Sequence, residues 1–114
     1  MENCIFCRIA KKEIPSQIVY EDEDTLAFKD TNPQAPLHVI IIPRSHVAKI
    51  CDVSDQNAHL IDKLFLVGNR LAREARVTER GYRYVINCNR DAGQTVFHLH
   101  LHLLGGRTFS WPPG

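Results

Sequence analysis

No apolar run in this chain exceeds four residues, as in Val39–Ile42, against the ~20 that a membrane-spanning helix needs. The opening stretch, MENCIFCRIAKKEIP, likewise lacks an apolar segment of signal-peptide length. Neither sign of charge dominates: 14 Lys and Arg stand against 13 Asp and Glu, for a formal net charge of +1. That excludes a broad basic field for nucleic acid, and no like-charged block marks an interaction tail. Internal repeats, low-complexity segments and linkers are also missing. The expectation is one cytoplasmic domain over residues 1–114, without nucleic acid or membrane as partner. In such a reducing compartment the four cysteines, Cys4, Cys7, Cys51 and Cys88, are expected as free or metal-bound thiols rather than disulfides.

Periodicity sketches the fold. Residues 4–13, with apolar Ile5, Phe6, Ile9 and Ala10, predict a short helix stopped before Pro15. Gln17–Tyr20, Thr25–Lys29 and His38–Ile42 read as strands. A long helix is predicted from a cap at Ser54 to about Ala75, with Ala58, Ile61, Leu64, Phe65, Leu71, Ala72 and Ala75 on one face. Tyr82–Asn87 and His98–Leu104 complete five strands. Short connections argue for an antiparallel sheet with the helices on one side, an α+β fold.

Half of the six histidines fall in one run, FHLHLHLLGG, at His98, His100 and His102. On a strand, alternate residues share a face, so three imidazoles form a row while Leu99, Leu101 and Leu103 turn to the core. The row could be a solvated face. A single metal held by all three is disfavoured, because the outer Cα atoms lie roughly 13 Å apart at about 3.3 Å per residue. The row could also be a phosphate surface, with a neutral imidazole as nucleophile and flanking rings as donors. Gly93, Gln94 and Thr95 enter this run, where glycine admits an anion close to backbone N–H groups and threonine adds a hydroxyl.

HLHLHLL follows the histidine-triad pattern His-φ-His-φ-His-φ-φ, and the chain resembles the nucleotide-binding (Hint) branch of the histidine triad (HIT) superfamily. The likeness runs nearly end to end, through IFCRI, EIPSQIVYED, LAFKDTNPQAPLHVIIIP, GYRYVIN, GQTVFHLHLHLLGGR and WPPG. It implies hydrolysis of purine nucleoside 5′-phosphoramidates. His100 would attack the α-phosphorus, His102 would contact the phosphate and assist the leaving group, and His38 would support the nucleophile, with His98 completing the catalytic set. Asn87, Gly93, Gln94 and Thr95 match the phosphate contacts. Asp30 matches the carboxylate that receives the ribose hydroxyls, and Phe6, Ile9, Phe28 and Ile40 the apolar clamp around the base. The resemblance further implies a homodimer in which two five-stranded sheets join into ten strands, with the Trp111 tail near the partner's active site.

The CIFC pair, Cys4 and Cys7, could be a redox pair, a zinc half-site or coincidence. A thioredoxin-like pair would follow a strand, for which residues 1–3 leave no room. The resemblance implies structural zinc on Cys4, Cys7, His46 and His98, with no cofactor needed for catalysis. His59, Cys51 and Cys88 receive no role. Within enzymes the rival is the dinucleoside polyphosphate hydrolase branch, which follows the triad with Pro-Arg where this chain has LGGR. A transferase relative would carry glutamine in place of His102. A nucleotide-binding or scaffold module and a plain zinc protein are the alternatives from other classes.

Overall fold

The structure, a computed structural model, describes residues 3–114. Five strands form one antiparallel sheet in the order β1-β2-β3-β5-β4. They are β1 (Ile18–Glu21), β2 (Thr25–Lys29), β3 (Leu37–Pro43), β4 (Tyr82–Val85) and β5 (Leu101–Gly105). The helices are α1 (Ile5–Ala10) and α2 (His59–Glu74), with short 3-10 turns at Ile50–Asp52 and Arg90–Ala92. The α+β expectation holds.

The two helices do not share a side of the sheet, as the strand connections alone had implied. β2 and β3 are buried at nearly every position, so both of their faces need cover. Ala27, Val39, Ile41, Leu101 and Leu103 pack with Leu64, Val67, Leu71 and Ala72 of α2. The alternating residues Leu26, Phe28, Ile40 and Ile42 pack with Phe6, Ile9 and Ala10 of α1. Each fully buried leucine or isoleucine contributes about 1.5–3 kcal/mol of hydrophobic stabilisation. One face is therefore structural, and the other is shared between α1 and the functional side chains.

Element ends differ from the periodicity where local hydrogen bonds decide. α1 stops at Ala10 because Lys12 turns left-handed (φ 62°) and the Glu13 N–H closes on the Arg8 carbonyl. Ser54 does not cap α2. Its N–H donates to Asn57 Oδ1 at 2.8 Å and its Oγ accepts from the Gln56 N–H at 3.4 Å, which closes a turn instead. The helix begins at His59, leaving Ala58 outside it. Val67 and Gly68 join the buried stripe, while Ala75 is exposed at the helix end. Gly68 is a poor helix former, but a Cβ there would lie 2.5 Å from Tyr84 Oη. Its small size lets α2 sit directly on β4, where Tyr84 Oη and Tyr82 Oη both donate to Asn69 Oδ1.

Candidate functional site

The histidine run does not act as one row. β5 starts at Leu101, where its pairing with β3 ends in the Ile41–Leu101 pair; β4 reaches only as far as Val85–His102. His98 and His100 lie ahead of it on a segment held by the Leu99 N–H donating to the Val47 carbonyl. Leu99, Leu101 and Leu103 are all buried, as alternation requires. His98 turns to Cys4, Cys7 and His46. His100 and His102 instead stack edge to face, with ring centroids 5.1 Å apart. β3 adds His38 beside them through the register Ile40–His102 and His38–Leu104.

Fixed backbone donors and acceptors set the protons on these rings. The Gln34 N–H donates to His38 Nδ1 at 3.0 Å, so that nitrogen carries a lone pair and the proton of a neutral His38 is on Nε2. His38 Nε2 lies 2.9 Å from His102 Nδ1 and 3.4 Å from Asp30 Oδ2. It donates to His102 Nδ1, which leaves the His102 proton on Nε2. His100 Nδ1 donates to the His98 carbonyl at 2.7 Å, leaving Nε2 as a lone pair. Burial, opposed in each case by Asp30, lowers the pKa of His38, His100 and His102, reaching about 4 for His102. All three are therefore neutral at pH 7. Asp30, His38 and His102 come together closely enough to suggest a metal trio, but a protonated His38 Nε2 has no lone pair to offer. The arrangement is a hydrogen-bond relay. In ¹⁵N-resolved NMR at pH 7, His100 is expected as the Nδ1–H tautomer and His102 as Nε2–H; finding the proton of His102 on Nδ1 would break this scheme.

The sheet face and α1 enclose a cavity of about 520 Å³. His100 and His102 line it, together with Asp30, Asn87, Gly93 and Thr95. Its apolar wall contains Phe6, Ile9, Phe28 and Ile40, and the Phe6 ring meets those of Phe28 and His100 edge-on at 5.4 and 5.1 Å. Asp30 Oδ1 accepts the Asn32 N–H at 2.8 Å, which fixes the carboxylate at the cavity rim. Gln94 stands apart from the other expected contacts. Its side chain donates to the Ala48 and Val96 carbonyls and accepts the Asn89 N–H, bracing the loop that presents Gly93 and Thr95. The sequence did not single out Ile14, Pro15, Ser16, Thr31 or Val96, which also line the cavity. Ile14–Ser16 follow α1 directly, so their placement depends on where that helix docks. Nor could a side-chain pattern reveal the Gln34 N–H, a backbone group.

Cys4, Cys7, His46 and His98 form a second cluster. The Cys4 Sγ and Cys7 Sγ lie 3.3 and 3.4 Å from His98 Nδ1, and Cys7 Sγ lies 3.3 Å from His46 Nδ1. Cys4 caps α1, accepting the Cys7 N–H at 3.3 Å. His98 Nε2 donates to the Pro43 carbonyl at 2.7 Å, which turns the Nδ1 lone pair toward the thiols, as an outer hydrogen bond does for metal-ligating histidines. Burial pushes the Cys7 thiol up, and Cys4 adds to this; a cation among the sulfurs would reverse that cost. Burial holds His98 near a pKa of about 4, in the neutral form that ligates. Two sulfurs and two nitrogens at these separations suit a tetrahedral ion. Both remaining cysteines, Cys51 and Cys88, are free thiols apart from it.

Comparison with known proteins agrees with this arrangement. Residues 11–109 match the HIT domain family. The chain is 43% identical over 106 residues to the purine nucleoside phosphoramidase of Escherichia coli strain K12, covering 93% of this chain and 89% of that protein. Its fold is similar to the crystal structure of a HIT family hydrolase from Legionella pneumophila Philadelphia 1, with a TM-score of 0.96 and 50% identity over 98% of this chain and 100% of that one. It also resembles a zinc-bound histidine triad family protein from Mycobacterium smegmatis, with a TM-score of 0.82 and 33% identity over 93% and 76% of the respective chains. By sequence and by fold, the chain belongs to the HIT domain family.

Proposed function

We propose that this protein hydrolyses purine nucleoside 5′-phosphoramidates through a nucleotidyl-histidine intermediate on His100. The observation that carries this is the pair of His100 and His102 rings, edge to face in one cavity. The hydrogen bonds leave His100 Nε2 a lone pair and His102 Nε2 a proton, in a cavity whose apolar wall contains Phe6, Ile9, Phe28 and Ile40. The base would lie between Phe6, Ile9, Phe28 and Ile40, and the ribose hydroxyls on Asp30. Asn87, Gly93 and Thr95 would meet the phosphate, with Gln94 acting through the loop it braces. His100 Nε2 attacks phosphorus; the P–N bond breaks, and the amine leaves with its electron pair and a proton from solvent, while the His102 Nε2–H donates a hydrogen bond to it. Water then attacks phosphorus, the P–Nε2 bond breaks with its electron pair returning to His100 Nε2, and the water's proton passes to solvent. A neutral His100 suits the nucleophilic attack near pH 7. The identity to the E. coli phosphoramidase supports the substrate class.

His98 would serve through its carbonyl, which orients His100, and through its ring as a metal ligand. Zinc fits the Cys4–Cys7–His46–His98 set, and the zinc-bound mycobacterial relative supports that choice. With four protein ligands the ion is structural, and it supplies no chemistry to the phosphate.

Steady-state kinetics on adenosine 5′-phosphoramidate beside diadenosine tetraphosphate test the substrate class. The phosphoramidate is expected to turn over with the higher kcat/KM; faster turnover of the polyphosphate would overturn it. A homodimer is proposed through the free edge of β4 and α2, because an unpaired edge strand favours a partner. Sedimentation at micromolar concentration is expected to give twice the 13.0 kDa chain mass, and a single-chain mass would refute the pairing.

A further inference from the structure

The carboxyl end of α2, the start of β4 and the segment after β5 enclose another cavity, of about 670 Å³. Arg76, Arg80, Arg83 and Arg107 line it, with no carboxylate among the lining residues. None of the ion pairs among the described residues involves these four arginines. Two of them are held in place. The guanidinium carbons of Arg83 and Arg107 lie 5.1 and 4.2 Å from the centroid of one ring, Phe109. Arg83 donates to the Ser110 carbonyl at 3.1 Å, and Arg107 to those of Gln34 and Thr108 at 2.8 and 3.0 Å. Each guanidinium carries five N–H donors, so carbonyl anchoring leaves further donors of each fork free.

In a chain of net charge +1, four unpaired cations around one hollow repel each other and concentrate positive potential there. Guanidinium forks match phosphate oxygens in geometry as well as charge. A concave site of this volume suits a small molecule, whereas an acidic peptide needs an open groove.

We propose that this cavity is a binding site for a multiply charged anion of the oligophosphate class, separate from the His100 cavity. Isothermal titration of the intact protein with sodium tripolyphosphate tests this, in the presence of saturating adenosine 5′-monophosphate to fill the His100 cavity. One tripolyphosphate per chain is expected, bound at least about tenfold more tightly than orthophosphate and weakened by added salt. The Arg80→Ala protein is expected to bind it at least about tenfold more weakly, with phosphoramidate turnover unchanged. Arg80→Glu, on an exposed side chain outside β4, provides a second check and should weaken binding more strongly still. Wild-type affinity in both variants, displacement of tripolyphosphate by the nucleotide, or tighter binding of hexaglutamate would each overturn the assignment.

Discussion

Replacing His100 by alanine is expected to lower phosphoramidate kcat by about 10⁴-fold or more, the scale on which removing a nucleophile acts. Nucleotide affinity should change by less than about tenfold. His100 contributes the bond-forming nitrogen, while the apolar wall and Asp30 that would hold the nucleoside stay in place. The fold should tolerate the change: the ring makes one backbone hydrogen bond, to the His98 carbonyl, and borders a cavity rather than filling a core. Rapid-quench labelling with an adenosine phosphoramidate should trap a nucleotidyl adduct on the wild-type protein and none on the variant. Retention of wild-type kcat in His100→Ala, with its loss in His98→Ala, would reverse the roles of these two residues.

Metal removal is the other large expected effect. The Cys4→Ser/Cys7→Ser protein, and wild type treated with chelator, should unfold at lower temperature. A stabilisation of about 3 kcal/mol, at about 4 °C per kcal/mol for a domain of this size, corresponds to about 12 °C. The catalytic consequence should fall mainly on KM. Cys4 and Cys7 anchor α1, which delivers Phe6 and Ile9 to the wall of the cavity. Phe6 also lies edge-on to both His98 and His100. Loosening α1 would therefore widen the base site while the backbone bond that orients His100 persists. KM is expected to rise about threefold or more, with a smaller fall in kcat. Metal analysis of protein purified without a polyhistidine tag should find close to one zinc per chain. Less than a tenth of an equivalent, with the cysteines shown to be reduced, would eliminate the metal.

Much of this was legible in residue order because it depends on local periodicity. Alternation placed Leu99, Leu101 and Leu103 in the core, and the 3.6-residue stripe of α2 located Leu64, Leu71 and Ala72. The motif around His98, His100 and His102 pointed to the family and to the set of residues that gather near the cavity. Element ends were less legible, since side chains such as Asn57 and Ser54 compete with the helix for the same backbone groups.

Sequence alone determined which side chains were available: three alternating histidines, a Cys-x-x-Cys pair, and strands apolar enough to need cover on both faces. Tertiary structure decided how they divide. Only packing of α1 against the second face of the sheet brings Cys4 and Cys7 to His98, drawing that ring away from His100 and His102. Only the turn before β3 aims the Gln34 N–H at His38, and with it the proton of His102. Gln94, next to two cavity residues in sequence, spends its side chain on the loop because the Ala48 and Val96 carbonyls lie within reach. Each of these outcomes depends on partners distant in the chain or on backbone N–H and C=O groups that every residue carries. Neither leaves a mark in the order of side chains.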